Sequence, residues 1–362
     1  MRPDLSSVPL IPVFKCMTAT EDAIPPVELG STKNTRPNKD GITIPRELFR
    51  DWTHDCPNDP FPTMEGVIEY AKRENVWDNL QRLIKTADWN RVISTEPWCI
   101  NSEVILETML KTHFDIVNLA LERTVVNGRH VMIQGGKSAN ADDCGQPLQS
   151  EPDRASFLAP TVRAEDGTLL LYSLTELDCE RSSRRRNEIP GEIKIYFKFR
   201  REYLDALTTR YDKPTRKMVT VPNKDARKEA EKVFTQIYQY MNERGSVVGY
   251  VMTDQELVCV RRVRETRHGV QYGVMDIAPS IPLSTEEGNL NAKLILWYLH
   301  HKFAVTQPHK NRLPTTPKPA EWAEIATGVA QALRTPQEVG LGIGPATRAN
   351  VRAAKTGLGI LE

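Results

Sequence analysis

Three side chains in the middle of this 362-residue sequence carry its most pointed chemistry: Asp153, preceded by Pro152, and then Glu192 and Lys194 in the β-prone run Gly191-Glu192-Ile193-Lys194. Residues two apart on a strand project from the same face, so Glu192 and Lys194 share one face while Ile193 and Ile195 turn to the other and can join a core. Two carboxylates supply hard oxygen ligands for Mg²⁺ or Mn²⁺. A lysine beside them can orient an attacking water or stabilise charge developing on a phosphate. That set is suited to phosphodiester hydrolysis. Further along, Gln236 and Tyr240 stand i,i+4 in an apolar-periodic segment and therefore on one helical face. Each element has a plainer explanation: an edge strand with alternating charges on its wet face, a Pro-Asp turn, and an ordinary amphipathic helix with an exposed Gln and a half-buried Tyr.

The elements that must position these residues are legible from hydrophobic spacing. Residues 1–62, rich in Pro, Asp, Asn and Thr, read as an irregular arm. Met64 to Trp89 reads as two short helices that include Leu83 and Ile84, and a longer helix runs from a cap at Asn101 or Ser102 to about Arg123. Strands are predicted for His130 to Ile133, Phe157 to Val162, Thr168 to Tyr172 and Glu192 to Phe199, with Glu165-Asp166-Gly167 as a turn. A helix over Lys224 to Asn242, stopped by Gly245, precedes strands at Val247–Thr253, Leu257–Val263 and Val270–Ile277. A last apolar helix spans Asn289 to about Phe303. In it His300 and His301 are expected to complement the helix dipole rather than bind metal. A Pro-rich linker, a short helix near Glu321 to Leu333 and a Gly/Ala-rich tail fill residues 306–362.

Pro-Asp followed by Glu-x-Lys on a later strand resembles the signature of the PD-(D/E)XK nuclease superfamily, and the Gln236-x-x-x-Tyr240 pattern is similar to that of its RecB-like branch. The stretch from about Trp98 to Val305, through Gly249-Tyr250 and Leu296-Trp297-Tyr298-Leu299, also looks like fungal proteins carrying such a domain. The resemblance implies an α/β (α+β) fold with a restriction-endonuclease-like core, a mixed central β-sheet flanked by helices, within a domain at 63–305. It implies that Asp153 and Glu192 hold Mg²⁺ or Mn²⁺, that Lys194 positions water, and that Gln236 and Tyr240 support the site. It also implies an acidic residue from the first core helix, for which Glu103 and Glu107 are the candidates. Arg154 stands where those relatives often have Trp, and the insert from Cys179 to Asn187 is unusually basic. Arg184, Arg185 and Arg186 in that insert, with Lys198 after the strand, can engage phosphates; a solvated loop or a nuclear targeting sequence explains the same run.

Composition sets the outer bounds. With 40% hydrophobic and 26% charged residues the chain can bury one substantial core, and no run of about 18 apolar residues suggests a membrane span. Six widely spaced cysteines without a Cys-x-x-Cys pair argue against structural zinc and against a disulfide framework. A formal net charge of +1 requires any nucleic-acid contact to be made by a local patch. The expectation is a soluble intracellular protein, nuclear if it acts on DNA, and either a metal-dependent nuclease or a nuclease-like domain that no longer cuts and serves as a nucleic-acid or protein-binding module.

Overall fold

The computed structural model describes residues 10–18, 48–85, 103–126, 129–135, 152–163, 169–171, 188–196, 198–212, 214, 216–267, 270–283, 285 and 289–306. In chain order the elements are β1 (Leu10–Pro12), α1 (Val13–Thr18), β2 (Phe49–Asp51), α2 (Met64–Arg73), α3 (Trp77–Leu80), β3 (Leu83–Lys85), α4 (Glu103–Arg123), β4 (Arg129–Gly135), β5 (Arg154–Arg163), β6 (Leu169–Leu171), β7 (Gly191–Ile193), β8 (Leu207–Asp212), β9 (Lys217–Pro222), α5 (Lys224–Arg244), β10 (Val248–Met252), β11 (Glu256–Arg267), β12 (Val270–Ile277), β13 (Ile281–Pro282) and α6 (Ala292–Leu299). A short 3-10 turn, Arg201–Leu204, precedes β8, and a π-helical stretch, His300–Thr306, extends α6.

The central sheet is mixed, in the order β2-β12-β11-β10-β7-β5-β4, with β13 added to β11 and β6 to β5. β10 runs parallel to β7 and β12 parallel to β2; the other pairings are antiparallel. Strand alternation gives the sheet two apolar faces, each covered by helices. Ile193, Tyr250, Met252, Leu257 and Cys259 join a core with α1, α2, α4 and α6. Val251, Val258, Val260 and Val274 join another with Val233, Phe234, Ile237 and Met241 of α5. β7 therefore lies inside the sheet, between β10 and β5, and not at its edge.

Helix ends follow their caps. The Asn223 side chain accepts from Ala226 N at 3.2 Å to start α5, and Gly245, at φ 67°, ends it in the left-handed conformation that glycine adopts without a Cβ penalty. Asn291 caps α6 through Leu294 N at 3.1 Å and also donates to Met17 O at 2.7 Å, tying α6 to α1.

Several expectations need correction. Residues 1–62 are not irregular where they are described. β1 pairs with β3, α1 buries Val13, Cys16 and Met17, and β2 adds a strand beside β12, with Leu48, Phe49, Trp52 and Phe61 buried. A buried ionic knot fixes that arm. Asp276 accepts from Arg50 at 2.7 Å and from Arg261 at 2.9 and 3.0 Å, and Arg261 also pairs with Asp59 and lies over Trp52. Leu83 and Ile84 are in a strand, not a helix, because β1 offers them a backbone partner. The last helix is α-helical only to Leu299. His300 and His301 are buried in the π-helical stretch, and burial lowers the pKa of each to about 4, so they are neutral and do not answer the helix dipole. His301 instead links Tyr70 Oη at 2.9 Å to Thr124 O at 2.9 Å. The Pro-rich linker, the 321–333 helix, the tail and the Glu165-Asp166-Gly167 turn lie outside the described residues.

Candidate active site

The site is assembled where β5, β7 and α5 meet. Asp153 immediately precedes β5, whose first residue, Arg154, pairs with Gly191, the first residue of β7. From there the Asp153 carboxylate reaches along β7 and accepts from Ile193 N at 2.8 Å through Oδ2. The two segments, 40 residues apart in sequence, are thus joined by a side chain-to-backbone bond at the residue between Glu192 and Lys194.

Glu192 and Lys194 project together from β7 on the side covered by α5, in keeping with the register that sets Glu192 opposite Val251 of β10. They form an ion pair between Lys194 Nζ and Glu192 Oε1, and Lys194 Nζ also donates to Ile193 O at 3.3 Å. Glu192 is 1% exposed and Lys194 4%, so the pair belongs to the interior and not to a wet strand face. The strand expected to reach Phe199 ends at Ile193 because carboxylates capture the backbone beyond it: Asp254 Oδ1 accepts from Tyr196 N at 2.7 Å and Glu256 Oε1 from Arg201 N at 2.8 Å. Lys194 N still donates to Met252 O at 2.9 Å, which holds the lysine in extended geometry. Burial raises the pKa of both Asp254 and Glu256, with those backbone bonds opposing the shift.

Gln236 and Tyr240 come to this place from α5. Gln236 Nε2 donates to Tyr240 Oη at 2.7 Å, and the Tyr240 hydroxyl lies near enough to the Glu192 carboxylate to feel its charge. A tyrosine hydroxyl donates one bond and accepts others, so with the Gln236 amide donating to it the phenol keeps its own proton to offer. Burial, then the neighbouring Glu192 charge, push the Tyr240 pKa far above its ordinary value, so it remains a neutral donor. The Asp153 charge adds to the same shift.

On the other face of β7, Tyr250 lies over Gly191. A Cβ at position 191 would stand 2.2 Å from Tyr250 Cζ, a contact no side chain tolerates. Nothing in the sequence pairs this glycine with this tyrosine, although a glycine directly before a charged strand residue is a signal of close approach. The Tyr250 hydroxyl has no hydrogen-bond partner among the described residues, and burial raises its pKa, with Arg154 opposing and Asp153 adding.

The remaining candidates do not join the cluster in the same way. Glu107 is engaged by Arg154, whose Nη2 lies 3.6 Å from Glu107 Oε2 and 3.3 Å from Glu107 O while its guanidinium sits 4.8 Å from the centre of the Phe114 ring. Glu103 lies in the first turn of α4, and its side chain is outside the described residues, as are Arg184, Arg185 and Arg186. Lys198 is half-buried in the turn after β7, its amide donating to Ile195 O at 2.8 Å. Among the described residues no group of three or more His, Cys, Asp or Glu side chains is arranged to hold a metal ion. Asp153 and Glu192 alone supply two hard oxygen donors. That matches the way Mg²⁺ is bound by one or two carboxylates with water and phosphate oxygens completing its shell. Among the described residues no helix is long and apolar enough to cross a membrane. Compared with known proteins, the chain matches no family model, no curated protein and no solved structure.

Proposed function

We propose that the protein is a Mg²⁺- or Mn²⁺-dependent nuclease, with DNA as its substrate and a restriction-endonuclease-like core of the PD-(D/E)XK type. One observation carries the reading: Asp153, Glu192, Lys194, Gln236 and Tyr240, spread over almost 90 positions, gather where β5, β7 and α5 meet, with Asp153 bonded to the amide between Glu192 and Lys194 and Tyr240 beside the Glu192 charge. A scaffold with charged strand faces has no reason to bring them together. In this reading Asp153 and Glu192 hold the ion, which lowers the pKa of a bound water and offsets negative charge on the phosphate. Ile193 N–H fixes one Asp153 oxygen and so sets the direction in which the carboxylate meets the ion. Tyr240, held by Gln236, orients the Glu192 carboxylate. Lys194, a donor while charged, orients the attacking water or meets charge growing on the phosphate. A nuclear, intracellular setting follows from the substrate.

A second reading has a specific observation behind it. Lys194 closes on Glu192, and both are buried, which suits a nuclease-like domain that binds nucleic acid or protein without cutting it. Purified protein is to be incubated with linear, circular and single-stranded DNA in Mg²⁺, Mn²⁺ or EDTA, beside Asp153→Ala and Lys194→Ala. Metal-dependent cutting that disappears in both variants is the expected result. Folded wild-type protein that cuts nothing with either metal would hand the site to the binding module.

A further inference from the structure

We infer that the β8–β9 ribbon is an arm that grips double-stranded nucleic acid through its groove and flanking phosphates. The inference rests on the nucleic-acid reading of the site and adds to it a substrate form, the duplex, and the element that selects it. Among the described residues the ribbon pairs with nothing but itself, in the register Leu207↔Pro222 to Asp212↔Lys217. It stands between the Lys194 segment and α5, fastened at its base by Asn223 N to Ala206 O at 2.8 Å and by Arg227 Nε to Leu204 O at 3.1 Å. One face presents Leu207 at 64% and Met218 at 63% exposure, with Thr209, Thr220 and Pro222 also exposed. A lone two-stranded ribbon is marginal by itself, and this one buries little in return, so its contribution to the core does not explain it.

Charge says what it meets. Residues 198–228 hold ten Lys or Arg against four Asp or Glu, in a chain whose formal charge is only +1. Arg216, Lys217, Lys224 and Lys228 are exposed and make no ion pair among the described residues. Arg216 also holds φ 51°, a left-handed conformation that favours glycine, so a long basic side chain is kept at the ribbon tip at the expense of backbone comfort. A two-stranded ribbon fits the major groove of a duplex, about 12 Å wide, and six residues per strand give it a reach of about 20 Å. Basic residues at tip and base then lie where the phosphates flank the groove, with Leu207 and Met218 turned to base edges and methyl groups. A single strand offers no groove to such an arm.

The test reads binding, not cutting. The full-length protein in EDTA is titrated by fluorescence anisotropy with a labelled duplex several helical turns long and with one of its strands, over a range of salt, beside Arg216→Gly/Lys217→Ala. Because glycine suits the conformation at position 216, loss of binding in that variant cannot be laid to loss of fold. Wild-type protein is expected to prefer the duplex. The variant is expected to bind it at least about tenfold more weakly, with the slope of log K against log salt reduced by about two. Equal duplex binding by the variant, a preference for the single strand, or self-association abolished by Leu207→Ser/Met218→Ser would each overturn the inference. Ribbon-dependent binding by a protein that never cuts removes the nuclease reading and leaves this one. Cutting by a protein whose ribbon variant binds normally does the reverse.

Discussion

Replacing Lys194 by Met separates what the Glu192–Lys194 pair does for the fold from what it does for chemistry. The Glu192 carboxylate is 1% exposed; the ammonium of Lys194 sits on Oε1, and the neutral Tyr240 hydroxyl is nearby. Lys194→Met removes the ammonium that balances the carboxylate, with little change in volume. Breaking a buried pair from one side costs about 3–5 kcal/mol, a large part of the roughly 5–15 kcal/mol that holds a typical domain together. Glu192→Gln strands the ammonium instead and is expected to cost a similar amount. The double variant Glu192→Gln/Lys194→Met buries no charge, and neutral replacements of buried pairs are commonly within about 1 kcal/mol of the parent or more stable. Urea unfolding of the four proteins gives the cycle, read from midpoints at unchanged slope. Two damaged single variants and a double variant restored to near wild-type stability, all without cleavage, are the expected outcome. If Lys194→Met costs less than about 1 kcal/mol, or if the two costs simply add, then water reaches the pair and the two charges do not depend on each other for burial.

Three further outcomes follow from the same geometry. Gly191→Ala forces a methyl group into the Tyr250 ring and is expected to destabilise by about 1–3 kcal/mol, with Tyr250→Ala in the same chain giving back part of that loss; thermal unfolding that finds the two effects additive within about 0.5 kcal/mol would show that the ring does not cover the glycine. Tyr240→Phe removes the hydroxyl that receives Gln236 Nε2 beside the buried Glu192 carboxylate, a loss of about 1–3 kcal/mol that should accompany slower cleavage, and unchanged rate and midpoint would detach α5 from the site. His300 and His301 have folded pKa values of about 4 against an unfolded 6.5, so between those values the unfolded chain binds more protons. Stability should therefore be full above pH 6.5 and fall as pH drops toward 4, by on the order of 3 kcal/mol per ring at most, and a midpoint flat from pH 7 to pH 4.5 would contradict their burial as neutral rings.

What could be read in the sequence was whatever depends on local period or on a motif. α4 and α5 keep their apolar residues on one side over about six turns and carry recognisable end signals, Gly245 among them, and so their limits were predictable. The pairing of Glu192 with Lys194 follows from the two-residue repeat of a strand, and the joining of Gln236 with Tyr240 from the helical repeat. β1 and β2 were not legible, because three residues in a Pro- and Asp-rich setting carry no period, and β3 was misread as helix because its apolar pair fits a helical spacing; the structure of all three comes from partners more than 70 residues away. The ribbon escaped for another reason. Its alternation of Thr, Arg and Val lacks an apolar face strong enough to mark a strand, which is also why it stands clear of the core. Glu107 was a ligand candidate only through the family resemblance, and spacing along one helix could not reveal that Arg154 of β5 would meet it first.

The position of β7 bears most heavily on the choice between a working site and a surface of ordinary charge. An edge strand can carry Glu and Lys at almost no cost, since water solvates both. β7 is flanked on both sides, by β10 and β5, and covered on both faces, so the same two residues there incur desolvation that valine or isoleucine would avoid. The neighbouring positions show that the fold accepts the alternative: Ile193 and Ile195 on one face, and Val251 beside Glu192 on the other, are apolar and fully packed. Stability therefore does not account for Glu192 and Lys194, and still less for a tyrosine hydroxyl and an aspartate brought from two other elements to meet them. The proposed chemistry is a requirement outside folding that would account for them. The Glu192–Lys194 cycle separates these two explanations directly, since a double variant that is as stable as the parent and has lost both cutting and metal response would show that the fold never needed the charges it keeps.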